Sequence, residues 1–230
     1  METTRRDLLK HLALASVALL TPSVVGCSST GAQGSTTTPT PTPTPSSGGA
    51  AAALPAARPE GWDAIAFNRE RGNAGAVPES YRAQINGPDA ERMHIGKHLP
   101  YLPTLAPGAV PAGMLGVMFG DPSLGRTRHP NDAPSEAMPQ GHWFEWVKVR
   151  KATEGEAQEA VSRFGAWPTP PEGDNGRFIP QEGTDLAADH GKNTVYLVAL
   201  PPDVRPGDVV RIHGRCISHG EYVDFVTLPA

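Results

Sequence analysis

A short stretch near the C-terminus constrains this chain most, because it places a thiol and an imidazole three residues apart between two β-type segments. Cys216 and His219 occupy a turn that is followed by Gly220. Apolar and β-branched residues flank this turn over 208–212 and 222–228, which is the pattern of a β-hairpin. Such a turn can aim both side chains at one metal ion. A buried cysteine beside an unrelated turn histidine would fit the pair equally well, so the other histidines decide between the two.

Further strand-like segments, rich in β-branched and aromatic residues and bounded by turn residues, precede the hairpin. They are Met114–Phe119, His142–Val149 and Thr194–Leu200. The helical signal is weak, although Gly155–Phe164 has room for a short helix. Short, spaced strands with turn signals predict an all-β fold, specifically a β-sandwich with long loops. The longest of these loops is the Pro- and Gly-rich segment Trp167–Asn193.

The first residues, 1–27, have the features of an export signal. Arg5 and Arg6 lie in a sequence that resembles the twin-arginine motif, and the apolar run that follows is too short to span a membrane. The sequence Val-Val-Gly-Cys, ending at Cys27, resembles a bacterial lipobox. This order predicts export of a folded protein and lipidation of Cys27, with cleavage elsewhere as the alternative. The lipid would anchor the protein at the cell envelope, on its periplasmic or extracytoplasmic face.

A segment rich in Thr, Pro, Ser and Ala, 28–60, separates this signal from the rest of the chain. Its centre alternates Thr and Pro from Thr38 to Pro45, a composition that cannot bury apolar surface, so we expect a disordered tether. The remaining residues, 61–230, are enough for one domain. The net charge of −4 gives no reason to expect nucleic acid as a partner.

Cysteine usage narrows the role of Cys216. The chain has 2 cysteines, and if Cys27 is lipidated, Cys216 is left without a partner for an intramolecular disulfide. A lone thiol in an exported protein needs either burial or a chemical use, and metal ligation is one such use.

Histidines elsewhere in the chain complete a set of candidate metal ligands. In chain order the set is His98, His129, His142, Cys216 and His219. These donors outnumber the four that close a structural zinc site, and their mixed softness suits a redox-active metal, above all iron. His94 and His213 are alternative ligands, although each is more simply explained as a surface or strand residue.

The segments that carry these residues occur in the order of a known family's motifs. They are Lys97-His98-Leu99-Pro100, His129-Pro130-Asn131, His142-Trp143-Phe144-Glu145-Trp146 and Cys216-Ile217-Ser218-His219-Gly220, and 221–228 is similar to that family's last strand. Over roughly His94 to Leu228 the chain therefore resembles the iron-binding domain of desulfoferrodoxin and neelaredoxin, the superoxide reductases.

The resemblance implies an immunoglobulin-like β-sandwich with one mononuclear non-haem iron that alternates between Fe²⁺ and Fe³⁺. The implied equatorial ligands are His98, His129, His142 and His219, and Cys216 is the implied axial ligand, with the opposite position open. The resemblance further implies an enzyme that reduces superoxide to hydrogen peroxide outside the cytoplasm. Lys97 would attract the anion, and an external electron donor would reduce the iron again.

The chain also departs from this family. Gly96 stands where the family often has a Glu that can occupy the sixth position of the oxidised iron. The extra loop Asp132–Gly141 lengthens the spacing between His129 and His142, which makes ligation by His129 the assignment to test first. No cysteines are left to build the rubredoxin-like domain of two-iron members.

Two other functions stay open at this stage. One is an exported, non-catalytic β-sandwich that binds a metal or a partner. The other is a cupredoxin-like electron carrier, which the absence of a Met or Gln after His219 disfavours. The electron donor and the oligomeric state, including a homo-oligomer, do not follow from the sequence.

Overall fold

The computed structural model describes residues 51–183 and 185–230. The signal peptide predicted at 1–27, its lipidation site at Cys27 and most of the linker predicted at 28–60 lie outside the described residues. Within the described part, no helix combines the length and the apolar character needed to cross a membrane.

The described chain folds as an all-β sandwich of two antiparallel sheets, which confirms the predicted fold class. The strands are β1 (Pro100–Tyr101), β2 (Met114–Phe119), β3 (Phe144–Lys151), β4 (Glu159–Arg163), β5 (Arg177–Pro180), β6 (Thr194–Ala199), β7 (Val209–Cys216) and β8 (Gly220–Thr227). One sheet has the order β1-β2-β6-β5 and the other has the order β4-β3-β7-β8.

The C-terminal hairpin forms where the sequence predicts it. Strands β7 and β8 pair from Val209 opposite Thr227 to Cys216 opposite Gly220. Gly220 has a φ of 87°, and a Cβ at this position would lie 2.3 Å from the carbonyl oxygen of Ala76. Only glycine meets both demands, so the turn that carries Cys216 closes against the segment containing Ala76.

Aromatic side chains fill the space between the two sheets. Phe119 and Phe144 stack with ring centroids 3.5 Å apart, and Tyr196 meets both rings edge-on. Burial of each such ring stabilises the fold by roughly 1.5–3 kcal/mol. Cys216 belongs to the same buried cluster, so its thiol lies at the junction of the core and the hairpin turn.

The short helix considered for Gly155–Phe164 was a wrong prediction, because this segment contains strand β4. The backbone of β4 pairs with β3, with Ser162 opposite Val147. Ser162 is buried, and its hydroxyl accepts a hydrogen bond from the backbone N–H of Ala199 at 2.8 Å. Pairing with β3 and this contact to β6 outweigh the weak local preference of the segment for a helix.

Helices lie instead in the segment before β1, where none was predicted. Helix α1 spans Ala64–Arg71 and helix α2 spans Arg82–Ile85, with π- and 3-10 turns around them up to His98. Asp63 caps α1 by accepting a hydrogen bond from Ala66 N at 3.0 Å.

Burial of polar residues explains why α1 lacks an amphipathic signature. Asn68 is 1% exposed, and its amide exchanges hydrogen bonds of 2.7 and 2.9 Å with the backbone of Val223 in β8. Arg71 is also buried, beside Glu221 of the same strand. A helix that presents polar side chains to the sheet is not found from apolar periodicity.

Residues 51–58 precede the predicted domain boundary at residue 61 and contact the sandwich; they are called the N-terminal strap below. Their carbonyl oxygens accept hydrogen bonds from buried or half-buried arginines: Ala52 from Arg71 at 3.2 Å, Pro55 from Arg211 at 2.8 Å and Ala56 from Arg150 at 2.9 Å. The domain therefore includes residues that the sequence interpretation placed in the linker.

Candidate metal centre

The sequence-predicted ligands come from separate segments of the chain. His98 ends a 3-10 turn before β1, His129 follows β2, His142 precedes β3, Cys216 ends β7, and His219 lies in the turn to β8. His219 is half-buried and the other side chains are buried. The sandwich therefore removes most of this polar set from water.

Four of these residues form one compact group of donor atoms. One atom from each of His98, His142, Cys216 and His219 lies within 4.8 Å of all the others. His219 Nδ1 is common to the shortest contacts, which are 3.0 Å to His142 Nε2, 3.2 Å to His98 Nε2 and 3.6 Å to Cys216 Sγ. This group matches four of the five ligands that the sequence predicts.

The short contacts within this group cannot all be hydrogen bonds. His98 Nδ1 donates a hydrogen bond to the carbonyl oxygen of His94, so a neutral His98 presents the lone pair of Nε2 to His219. His219 Nδ1 carries either one proton or one lone pair, so it cannot form good hydrogen bonds with two imidazoles and a sulfur at once. One cation at the centre would accept a lone pair from every donor, so the group fits a metal better than a hydrogen-bond network.

His129 lies against the group, although none of its nitrogens belongs to it by distance. Its ring centroid is 4.3 Å from that of His142 and 4.9 Å from that of His98. Its two ring nitrogens are buried and have no hydrogen-bond partner among the described residues. A buried polar atom without a partner costs about 1–3 kcal/mol, and a metal beside His129 would remove that cost for one nitrogen.

Burial keeps the imidazoles of the centre neutral. It lowers the pKa of His98 and His129 well below the usual value, and nearby positive charge adds to the effect. It also lowers the pKa of His142 to about 3 and that of His219 to about 2, with Lys97 as the next cause. Neutral imidazole is the form that ligates metals, so the site is ready for a metal at neutral pH.

Burial acts in the opposite sense on the thiol. It raises the pKa of Cys216 to about 12, although the backbone N–H groups of Ser218 and His219 oppose the shift. The metal-free thiol is therefore protonated at neutral pH. Because thiolate is the ligating form, a metal must displace this proton as it binds.

Two tyrosines cover the imidazoles, and sequence reasoning missed both. Tyr222 stacks on His98 with centroids 4.2 Å apart, and its hydroxyl donates to the carbonyl of His219 at 3.0 Å. Tyr81 stacks on His219 at 4.0 Å, and its hydroxyl is 3.1 Å from His94 Nδ1. The alternation along β8 could have placed Tyr222 on the inward face, whereas Tyr81 lies in the helical segment and belongs to no motif.

Lys97 directly precedes the candidate ligand His98. Its Nζ lies 5.9 Å from the ring centroid of Tyr81, the ring that covers His219. Burial lowers the pKa of Lys97, and the charge of a Cys216 thiolate opposes that shift. The ammonium group therefore lies where it can act on an anion near the centre.

The alternative ligands His94 and His213 do not join the four-residue group. His94 supports the centre through its carbonyl oxygen, which accepts from His98, and through its ring, which contacts the Tyr81 hydroxyl. His213 Nε2 lies 3.1 Å from Glu221 Oε2 in a separate pair.

Gly96 has no space for a side chain. A Cβ at this position would lie 1.7 Å from the carbonyl oxygen of Glu91 and 3.0 Å from the side chain of Arg126. The backbone of this segment therefore excludes the carboxylate that superoxide reductases often carry just before the lysine.

Comparisons with known proteins add little to this geometry. No protein-family model and no curated protein matches the chain. One solved structure, a superoxide reductase (neelaredoxin) variant from Archaeoglobus fulgidus in the reduced form, matches with 18% sequence identity and a TM-score of 0.31. The match covers 59% of this chain and 90% of the other. Similarity at this level assigns neither family nor activity, so the chemistry of the centre rests on its own residues.

Proposed function

We propose that this protein is a non-haem iron oxidoreductase of the superoxide reductase type. The observation that carries the proposal is the convergence of His98, His142, Cys216 and His219 within 4.8 Å. The buried ring of His129 lies beside them, its two nitrogens lack partners among the described residues, and it would supply a fifth ligand.

The donor set favours iron over the other common transition metals. A structural zinc site closes at four donors, whereas His129, buried beside the four-residue group, would add a fifth donor here. A blue-copper site uses two histidines and one cysteine, and here more than two imidazoles gather around the thiol. Nitrogen donors combined with one thiolate suit a metal that changes oxidation state, which is the requirement of an electron-transfer reaction.

Bound ferrous iron would supply one electron, and superoxide with that electron and two protons gives hydrogen peroxide. The protein's residues prepare this reaction. Lys97 presents a positive charge to the incoming anion, beside the ring of Tyr81. Tyr81 and Tyr222 cover His219 and His98 and limit access of water to them. An external one-electron donor would be needed to restore the ferrous state.

We further propose that the protein acts outside the cytoplasm. The proposal rests on the twin-arginine and lipobox sequences and on lipid attachment at Cys27. Residues 28–50 would then act as the tether between that lipid and the N-terminal strap. Detection of a lipid-modified mature protein in membrane fractions, and its loss in Cys27→Ala, would test this placement.

A non-catalytic metal-binding module is the second candidate, and the closed backbone at Gly96 favours it. Without room for a carboxylate before Lys97, the centre lacks a side chain that often serves the oxidised form of superoxide reductases. A protein of this kind would bind iron with the same ligands but would not consume superoxide at a rate above that of a Lys97→Ala variant.

The test begins with anaerobic loading of the protein with Fe²⁺, followed by oxidation. One iron per chain is expected, with a thiolate-to-ferric charge-transfer band that disappears in Cys216→Ser. The reduced protein should consume one superoxide per iron and form hydrogen peroxide without releasing dioxygen. Failure to bind iron, or binding without the thiolate band, would exclude the reductase. Iron binding with the band but without superoxide consumption would favour the second candidate.

A further inference from the structure

A buried chain of hydrogen bonds joins the segments that carry His129 and His142. Tyr196 of β6 is 1% exposed, and its hydroxyl oxygen accepts from the backbone N–H of Phe144 at 3.0 Å. The same hydroxyl donates to Asn131 Oδ1. Asn131 follows His129 by two residues, and Phe144 follows His142 by two residues. One tyrosine of the β1-β2-β6-β5 sheet therefore contacts both histidine-bearing segments.

Asn131 is in turn held by the loop between β5 and β6; strand β5 interrupts the segment 167–193 that the sequence interprets as one long loop. Its backbone N–H donates to the carbonyl of His190 at 2.7 Å, and its amide Nδ2 donates to the carbonyl of Gly191 at 2.7 Å. Asp189 and His190 both have left-handed backbones, with φ of 50° and 54°. Residues other than glycine hold this conformation only where their surroundings fix it.

Gly191 shows how closely this loop approaches Asn131. It also has a left-handed φ, of 64°, and a Cβ on it would lie 2.4 Å from the carbonyl oxygen of Asn131. Three successive residues with positive φ thus bring two carbonyl groups to Asn131, one to its backbone N–H and one to its side-chain amide. The contacts of Asn131 account for the position of this loop, which no sequence motif explains.

No strand or helix fixes the position of His129. It lies in an irregular segment, where its own N–H donates to the carbonyl of Phe119 at 3.0 Å. The loop Asp132–Gly141 separates it from His142, and a β-bridge between Asp132 and His142, with two hydrogen bonds of 2.8 Å, closes that loop. The bridge aligns the backbones, whereas Tyr196 and Asn131 fix the distance of the His129 segment from the core.

We propose that Asn131 and Tyr196 are positioning residues that hold His129 against His142, so that His129 can serve as the fifth metal ligand. The inference rests on the proposed metal centre, but not on its reaction with superoxide. Without the two positioning residues, the metal would keep the four-residue group and lose the imidazole of His129.

The test measures the affinity of the full-length protein for Co²⁺, by competition with a chelator, in a double-mutant cycle of Tyr196→Phe and His129→Ala. Tyr196→Phe should weaken Co²⁺ binding 10–100-fold, the usual effect of losing support for a ligand. The thiolate-to-cobalt absorption band should remain, because Cys216 is retained. In the His129→Ala background, Tyr196→Phe should change the affinity less than 2-fold, since the ligand on which it acts is gone.

The control removes one buried hydroxyl that joins the two sheets elsewhere. Ser162→Ala loses the hydrogen bond that this hydroxyl accepts from the backbone N–H of Ala199 in β6, and its Co²⁺ affinity should equal that of the parent protein. Asn131→Ser is a second variant for the case in which Tyr196→Phe does not fold, and it should show the same dependence on His129.

The results distinguish the positioning role of Asn131 and Tyr196 from the existence of the metal centre. The positioning role would be overturned if Tyr196→Phe and Asn131→Ser bound Co²⁺ as tightly as the parent protein. It would also be overturned if their losses of affinity simply added to the loss in His129→Ala. Neither result would contradict the metal centre. A parent protein that binds no Co²⁺ and no Fe²⁺ would overturn the metal centre, and the positioning role with it.

Discussion

Tyr81 lies over the ring of His219, with centroids 4.0 Å apart and planes inclined by 29°. Tyr81 comes from the helical segment that precedes β1, whereas His219 comes from the hairpin turn of the sandwich. The same segment contributes Ile85 and Ile95 to a second apolar cluster that includes Tyr222 of β8. The helical segment is therefore part of the wall of the candidate metal centre.

Removal of the Tyr81 ring should loosen the metal. Tyr81→Ala exposes His219 to water, so we expect metal release to a chelator to become at least about tenfold faster. Tyr81→Phe keeps the ring and loses only the contact with His94, and its release rate should stay within about twofold of the parent. Equal release rates in Tyr81→Ala and the parent protein would show that the stack does not protect the centre.

Metal removal should destabilise the fold, because the ligands come from segments that are distant in the chain. A metal at 100 times its Kd stabilises the folded state by about 2.7 kcal/mol, which for a domain of this size raises Tm by about 5–10 °C. Calorimetry of iron-loaded and metal-free protein would measure the difference. In Cys216→Ser, the difference in Tm between the iron-loaded and the metal-free protein should be smaller. An unchanged Tm on loading would argue against binding at these residues.

The hairpin and most of the strands could be predicted from sequence because their signals are local. The alternation around Cys216 and the turn at Gly220 specify the hairpin with few long-range contributions. Strand β4 was missed because its pairing with β3, and not its composition, determines its conformation. Helix α1 was missed because Asn68 is polar and yet buried, through bonds to a strand that lies far along the chain.

The candidate site, too, could be predicted from sequence only in part. Histidines in a recognisable order indicate which side chains could meet, but Tyr81 and Tyr196 act through contacts that span much of the chain. The resemblance suggests a Glu at the position of Gly96 without revealing that the backbone of Glu91 closes it. Such contacts depend on tertiary packing, and no local pattern reports them.

The metal-free protein should lose stability as the pH falls below about 6.5, the pKa of an unfolded histidine. In the folded state the pKa of His142 is lowered to about 3 and that of His219 to about 2, so protons bind the unfolded chain first. The two histidines contribute fully to the free energy of unfolding above pH 6.5. This contribution is lost as the pH falls toward their pKa values in the folded state. Each histidine adds a slope of about 1.4 kcal/mol per pH unit.

Urea unfolding of the metal-free protein between pH 7.5 and 5 measures this slope, because most carboxylates remain ionised there. Replacing His142 with Asn should reduce the slope by about 1.4 kcal/mol per unit. A free energy of unfolding that is constant over this range would contradict the burial of neutral imidazoles.

Gly96 should tolerate no substitution. Gly96→Ala brings a Cβ to 1.7 Å from the carbonyl of Glu91, so the backbone beside His98 must shift, and we expect a loss of about 3 kcal/mol. Gly155→Ala is the matched control, since its Cβ would meet nothing closer than Thr153 Oγ1 at 3.8 Å. The control should change the free energy of unfolding by less than about 0.5 kcal/mol. Equal stabilities for the two variants would refute the crowding at Gly96.

The N-terminal strap should stabilise the domain through the arginines that hold it. A chain that begins at residue 59 leaves Arg71 and Arg211, which are 4% and 8% exposed, without the carbonyls of Ala52 and Pro55. Compared with a chain that begins at residue 51, we expect a loss of about 2–4 kcal/mol, because buried donors lose their acceptors. Chemical denaturation of both chains measures the loss.

A double-mutant cycle distinguishes these hydrogen bonds from a general effect of shortening the chain. Arg211→Met should cost more in the longer chain than in the shorter one, because the acceptor at Pro55 is present only in the longer chain. Arg177 serves as the control, since the bonds it donates go to the nearby carbonyls of Asp174 and Gly176, and Arg177→Ala should cost the same in both. If Arg211→Met also costs the same in both chains, the strap is held by something other than its bond to Arg211.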